Sequence, residues 1–268
     1  AATGVTEVTL LGQNVNSYGR DLTRRRPLFA ELLRAAGDVE GIERVRFTSP
    51  HPKDLRPETI AAMAEVPAVC EHLHLPLQAG SDRVLAAMHR GYTAARYLER
   101  LAAARAAVPD LAVTTDLIVG FPGETDDDFE RTLEVVAEAE YDSAYTFIYS
   151  PRPGTEAAAW VDRYVPAEVV AERFDRLKVV VERSALARHD ARVGRTEEVL
   201  VEGPSKRDAG VLTGRTRQNK LVHFAGLASI GSYATVRVTG AAPHHLTGEL
   251  VEVTARPRHK TRIPVAAL

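Results

Sequence analysis

Over the first 150 residues, short β-branched and apolar runs alternate with stretches whose apolar positions recur every three or four residues. That rhythm predicts strand–helix units. The strands fall at EVTLLGQ (Glu7 to Gln13), RVRFTS (Arg44 to Ser49), HLHLPLQ (His72 to Gln78), LAVTTDLIVG (Leu111 to Gly120) and SAYTFIYS (Ser143 to Ser150). Between them, Ser81 is placed to cap a helix whose Val84, Leu85 and Met88 share a face, with Gly91 as its stop. Thr93 opens a second helix, closed by Pro109. Thr125 opens a third, where Asp126, Asp127 and Asp128 complement the positive helix end and Phe129, Leu133 and Val136 form the apolar stripe. Repeated βα order with right-handed crossovers predicts a parallel sheet, open or rolled into a barrel, with ligands at the C-terminal strand ends.

After Pro151 the period changes. A long helix over about 166–186 places Val170, Phe174, Leu177 and Val181 on one side, with Arg173, Arg176, Lys178 and Arg183 elsewhere. Beyond Gly194, EEVLVEG, GVLTGRT, KLVHFAG, SYATVRVTGA and LTGELVEV are short runs separated by turn residues, the spacing of a small antiparallel β-barrel. The expected organisation is an α/β unit over 1–186 including the connector helix, a β unit over 187–254, and a basic tail over 255–268 without periodicity, expected to be disordered.

Charge sharpens this division. The chain carries −2 overall, but from Ala187 to Leu268 there are 13 Lys and Arg against 7 Asp and Glu, leaving 21 against 29 before it. The basic unit is the candidate for a polyanion. The single cysteine, Cys70, rules out an intrachain disulfide and any iron–sulfur or metal site built from several thiolates of this chain. It is expected to be a small, half-buried residue without a redox role. No run is long and apolar enough to span a membrane and the first residues lack a signal-peptide pattern, so a soluble, cytoplasmic monomer is expected.

Polar loops follow the predicted strands: LGQNVNSYG, TSPHP, LPLQAGSD, DLIVGFPGE and YSPRPGT. One such loop is ordinary turn chemistry. Five in succession, carrying amides, hydroxyls and an arginine on the face where α/β sheets bind ligands, point to a cofactor or substrate site.

TLLGQNVNSYG, RFTSPHP, HLHLPLQAGSDRVLAAMHRGYT, TDLIVGFPGETDDDF and FIYSPRPGT resemble, in order and spacing, the radical-SAM methylthiotransferases that convert N6-isopentenyladenosine beside the tRNA anticodon to its 2-methylthio derivative. The likeness runs from about Val5 to Val253. VGRTEEVLVEG and LTGRTRQNKLVHF resemble that family's TRAM domain, a small β-barrel associated with tRNA. The resemblance implies a partial (β/α)6 barrel lacking its first strand, S-adenosylmethionine as cofactor, and two [4Fe–4S] clusters. The cysteines that hold those clusters are absent here, so a C-terminal fragment, inactive by itself, is expected.

The resemblance puts Gln13 and Asn14 at the methionyl part of the cofactor, with Ser49 and Gln78 facing the same cavity. The segment from Asp116 through Gly120 and Gly123 corresponds to the adenine side, where the two glycines would let a purine approach the backbone. Arg152, set between prolines, suits a carboxylate or phosphate. In the β unit, Arg207, Arg215, Arg217 and Lys220 are the candidates for RNA phosphates, and His223, Phe224 or Tyr233 for stacking on a base. The implied partner is the anticodon arm carrying N6-isopentenyladenosine. Other substrates within the family, threonylcarbamoyl-adenosine or a ribosomal-protein aspartate, stay open, as does a cluster-free module that only binds RNA and nucleotide.

Overall fold

The structure, a computed structural model, describes residues 1–23 and 26–257. The basic tail from residue 258 onward lies outside them. Five parallel strands, β1 (Glu7–Leu10), β2 (Arg44–Phe47), β3 (His72–His74), β4 (Ala112–Val119) and β5 (Ser143–Ile148), follow one another in chain order as an open arc. Glu7 pairs with Arg44, His72 with Ala112, and Thr114 with Ser143. Between β2 and β3 the arc is carried by a Val45–Val69 bridge, with Val45 N donating to Ala68 O at 2.7 Å and Cys70 N to Val45 O at 3.0 Å.

After the short α1 (Arg20–Thr23), which buries no residue, the outer face is covered by α2 (Phe29–Gly37), α3 (Pro57–Glu65), α4 (Asp82–Ala87), α5 (Ala94–Ala107), α6 (Asp126–Ala139) and α7 (Ala167–Asp190). Alternation in β4 shows why. Val113, Thr115, Leu117 and Val119 are buried beneath helices, while Thr114, Asp116 and Ile118 are half-buried on the concave face. Ser81, Thr93 and Thr125 each accept a backbone N–H at the helix starts expected of them, and Thr125 completes a capping box with Asp128. Helices α2 and α3 were not anticipated: Leu28 and Arg56 are not capping residues, and Pro57 in the first turn was the one start signal, for α3. α4 ends before Gly91, since His89 already takes the left-handed conformation at φ +55°. β3 stops well before Gln78, where Pro76 removes a donor and Gln78 itself turns left-handed at φ +70°.

The five runs of the second unit are strands β6 (Thr196–Pro204), β7 (Val211–Thr216), β8 (Leu221–Ala225), β9 (Tyr233–Ala242) and β10 (His245–Ala255). They close into a barrel in the order β10-β8-β7-β6-β9, antiparallel except for the β10–β8 pair. Val199, Val201, Val222, Phe224, Val236 and Leu246 fill it.

This small barrel docks on the base of the arc, at the N-terminal ends of its strands, through charge. Arg44 is fully buried and donates to Arg215 O at 2.9 Å, Glu198 O at 3.1 Å and Glu198 Oε1 at 2.8 Å. Arg46 donates to Arg217 O and Thr216 O, both at 2.8 Å. In return Arg217 holds Glu71 and the carbonyls of Pro67 and Val69, and Lys220 meets Asp142 at 2.6 Å, both side chains buried. A buried ion costs several kcal/mol of desolvation unless paired, so each of these groups fixes its partner's position.

Removing one member of a buried pair is costly, whereas removing both is much less so. Lys220→Ala should therefore destabilise the chain by about 3–5 kcal/mol in urea unfolding, and Lys220→Met with Asp142→Leu should restore most of it. Burial raises the pKa of Asp142, but Lys220 outweighs it and holds the carboxyl below its ordinary range. Its stabilisation should be complete above about pH 4 and fade as the pH falls further. A single variant as stable as the parent would contradict this reading.

Candidate active site at the open mouth of the arc

Each strand of the arc ends in a loop at the mouth. Asn14 follows β1 and donates Nδ2 to Asp54 Oδ2 at 2.7 Å, while its Oδ1 is buried with no partner. The fully buried Asn16 ties this loop to the next, donating to His51 O at 3.0 Å and accepting from His51 N at 2.8 Å. Asn16, His51 and Asp54 were passed over in the sequence; Asn16 sits in a single 3-10 turn, Val15–Ser17, where no strand or helix period marks it as inward. Gln13 is exposed; Ser49, at φ +59°, is exposed too, and its carbonyl accepts from Val15 N at 3.4 Å.

Gln78 sits deeper. Its backbone joins β4 through Asp116 O at 2.8 Å and Ile118 N at 2.9 Å, yet its side-chain amide, on a residue 7% exposed, has no hydrogen bond among the described residues. The turn after it is braced against α6. A Cβ at Gly80 would lie 2.6 Å from Arg131 O and from Thr132 Cα, so only glycine fits. Asp128 accepts from Ser81 at 2.5 Å and also from Arg83 and Thr125. Burial opposes ionisation of Asp128, but these hydrogen bonds outweigh it and hold the carboxyl well below the carboxylate range.

The GFPGE turn corrects one expectation. A Cβ at Gly120 (φ +76°) would meet Val170 Cγ2 of α7 at 2.7 Å, so the space expected for a purine belongs to the connector helix. At Gly123 (φ +82°) that space is open. Glu124 closes the turn, accepting from Gly120 N at 2.8 Å, and Arg173 meets it at 3.1 Å. Arg173 is thus buried in the α7 face rather than turned away from it, because it has Glu124 and Asp126 as partners. Burial pushes the Glu124 carboxyl above its ordinary value despite the Gly120 N–H and Arg173.

Inside the arc, His74 Nδ1 lies 2.9 Å from Thr114 Oγ1 and its Nε2 lies 3.5 Å from Asp116 Oδ1. His72 shares the same threonine at 3.2 Å. Tyr145 stands edge-on to His74, and Tyr145 and Phe147 are 62% and 50% exposed, two aromatic faces open to the concavity. His72, His74, Tyr145 and Phe147 were read only as strand residues. Their i, i+2 spacing was the signal that each pair shares a face.

Other expectations are redistributed. Arg217 and Lys220 belong to the seam between the units, not to a phosphate surface: Lys220 is buried against Asp142, and the half-buried Arg217 is engaged by Glu71 and two backbone carbonyls. Arg215 is half-buried against Glu202 at 3.1 Å, whereas Arg207 and Arg152 are exposed and make no ion pair among the described residues. Phe224 is in the barrel core and Tyr233 lies under Arg44, so neither can stack on a base; His223 stands edge-on to His245. Cys70 is 2% exposed rather than half-buried, and burial raises its thiol pKa. Among the described residues no group of three or more His, Cys, Asp or Glu is arranged to hold a metal ion.

A parallel arc with its polar loops at the C-terminal mouth is the architecture of a SAM-type half-barrel, and residues 1–136 match the family model of the radical SAM superfamily. The chain belongs to that superfamily, and residues 190–251 match the TRAM domain. The tRNA-2-methylthio-N(6)-dimethylallyladenosine synthase of Acidothermus cellulolyticus is 54% identical over 261 residues, covering 96% of this chain and 52% of that protein. The synthase of the same name from Salinispora arenicola is 55% identical over 254 residues, covering 92% and 50%. The chain spans about half the length of the curated relatives it matches. Among solved structures, the radical SAM enzyme coproporphyrinogen III oxidase of Escherichia coli aligns with TM-score 0.51 and 15% identity over 80% of this chain and 55% of that one, a likeness of fold.

His72 supplies a test of the concave face. Burial, then Arg46, pushes its pKa down from 6.5 to about 3. A folded-state pKa below the unfolded value means that the stability present above about pH 6.5 is lost as the pH falls toward 3. The His72 Cε1–H signal should not move between pH 8 and 5 in two-dimensional NMR. An inflection near 6.5 would show that the ring faces water.

Proposed function

We propose that this chain is the part of a tRNA methylthiotransferase that holds S-adenosylmethionine and presents N6-isopentenyladenosine beside the anticodon for 2-methylthiolation, acting as a cytoplasmic monomer. The reading is supported by relatives of that name at about half identity across nearly the whole chain, and by one structural observation above all. The Oδ1 of Asn14, after β1, is buried with no partner, and the side-chain amide of Gln78, after β3 and bridged to β4, makes no hydrogen bond among the described residues. Buried polar groups without partners are costly and mark where a ligand completes them. Asn14 Oδ1 suits an ammonium, the Gln78 amide a carboxylate or ribose hydroxyl, and the open space at Gly123 a purine edge; Gly120 has no such role. Asp116 with His74 orients polar groups inside the arc, while Tyr145 and Phe147 offer faces to an adenine and exclude water.

When bound, S-adenosylmethionine would supply the methyl group of this chemistry and, given one electron from a donor outside these residues, the hydrogen-abstracting species. A [4Fe–4S] cluster does not fit the residues present, since one buried cysteine is no ligand set. That same observation favours a second reading, a cluster-free module that binds nucleotide and RNA.

Isothermal titration should detect weak S-adenosylmethionine binding to the chain. Gln78→Leu should weaken it about tenfold, the worth of one buried polar contact, and Cys70→Ser should leave it unchanged. Equal loss in both variants, or no binding by the parent at millimolar ligand, would overturn the assignment of the mouth.

A further inference from the structure

Outside the mouth, a groove of about 820 Å³ runs between the Lys53–Arg56 turn with the start of α3 on one side and the first turns of α5 on the other. It is lined by five cations, Arg20, Lys53, Arg56, Arg96 and Arg100. Its two carboxylates are Asp54 and Glu99, and Asp54 is buried and already held by Arg20 at 2.9 Å and Asn14 at 2.7 Å. Lys53, Arg56 and Arg96 make no ion pair among the described residues, and Arg100 only donates to Pro52 O. The Lys53 chain lies across Gly91, whose Cβ would be 3.6 Å from its Nζ. Such a cluster is not general solvation, because this unit is the acidic one, with 29 Asp and Glu against 21 Lys and Arg. The α5 N-terminus adds its positive end to the same wall. His51 beside the groove has its pKa lowered by burial and then by Arg90, with Lys53 and Arg100 acting in the same sense.

We propose that this groove is an RNA-backbone site of the α/β unit, taking consecutive phosphates of the strand that leads into the mouth. The inference rests on the RNA reading above and locates its electrostatics. Three observations favour a polyanion chain over a single small anion. The cations come from three separate segments, Arg20, Lys53 with Arg56, and Arg96 with Arg100, and are spread along the groove. Asp54 touches both Arg20 of the groove and Asn14 of the mouth, so the two sites are one residue apart. Arg217 and Lys220, the cations expected to hold RNA from the β unit, are taken up in the seam. Phosphates positioned here would fix the register of the strand, while the concave face receives the base.

Fluorescence anisotropy with a labelled anticodon-arm hairpin tests this on the full chain. The triple variant Lys53→Gln, Arg56→Gln, Arg96→Gln should bind about tenfold or more weakly at moderate salt, and the slope of log K against log salt should shrink by about 2 to 3, one per lost phosphate contact. Lys53→Arg with Arg96→Lys should keep the parent slope. If the triple variant does not fold, Arg96→Gln alone, at an exposed helical position, should reduce the slope by about 1. Parent-like affinity and slope in the triple variant would overturn the groove while leaving the RNA reading standing. No binding by the parent would overturn both. Displacement of the hairpin by inorganic pyrophosphate at micromolar concentration would show a small-anion site instead.

Discussion

Arg44 opens β2 with its guanidinium wholly withdrawn from water, and the docking of the two units depends on the groups that meet it. A cation in that position is tolerated because Glu198 and the carbonyl of Arg215 come from the small barrel to receive it, with Glu7 of β1 at 3.7 Å as a second carboxylate. Arg46, Glu71 with Arg217, and Asp142 with Lys220 repeat the arrangement along the base of the arc. Apolar docking would tolerate sliding. Charge pairs with defined partners do not, since any shift strands an ion without its complement.

Closing the base in this way leaves the C-terminal strand ends as the accessible end of the arc, the face where parallel α/β folds hold their ligands. The mouth is correspondingly built from residues tied to each other through loops: Asn16 with His51, Asn14 with Asp54, and the Gly80–Ser81 turn with Asp128 of α6. These bonds hold the loops in place while leaving the buried Asn14 Oδ1 without a partner and the Gln78 amide without a hydrogen bond among the described residues. A fixed frame around unpaired polar atoms is preorganisation for a ligand, because ordering has been done in folding rather than in binding.

Periodicity and capping made the arc legible. Ser81, Thr93 and Thr125 are capping residues by chemistry, and β4 alternates because one face meets helices and the other the concavity. The five strands of the small barrel were equally plain from their runs and turns. What could not be read was partnership across distance. Arg217 and Lys220 look like phosphate ligands in a basic segment, and nothing local reveals that Glu71 and Asp142, more than 70 residues away, receive them. Gly120 looks like room for a purine until Val170 of α7 is seen to fill it. Helix α2 has no capping residue and so gave no start signal, while the signal for α3 was Pro57 in its first turn rather than a cap. Tyr145 and Phe147 share a strand face by their spacing, but that this face opens on a concavity is not visible in any local pattern.

That the seam holds the small barrel in one fixed orientation beneath the arc can be measured by residual dipolar couplings of backbone amides in β4 and β9 in a dilute aligning medium. The two sets should fit a single alignment tensor, with the magnitude and orientation given by the docked structure. Two tensors of different magnitude or direction would show units that reorient independently and would contradict the fixed base on which the mouth depends.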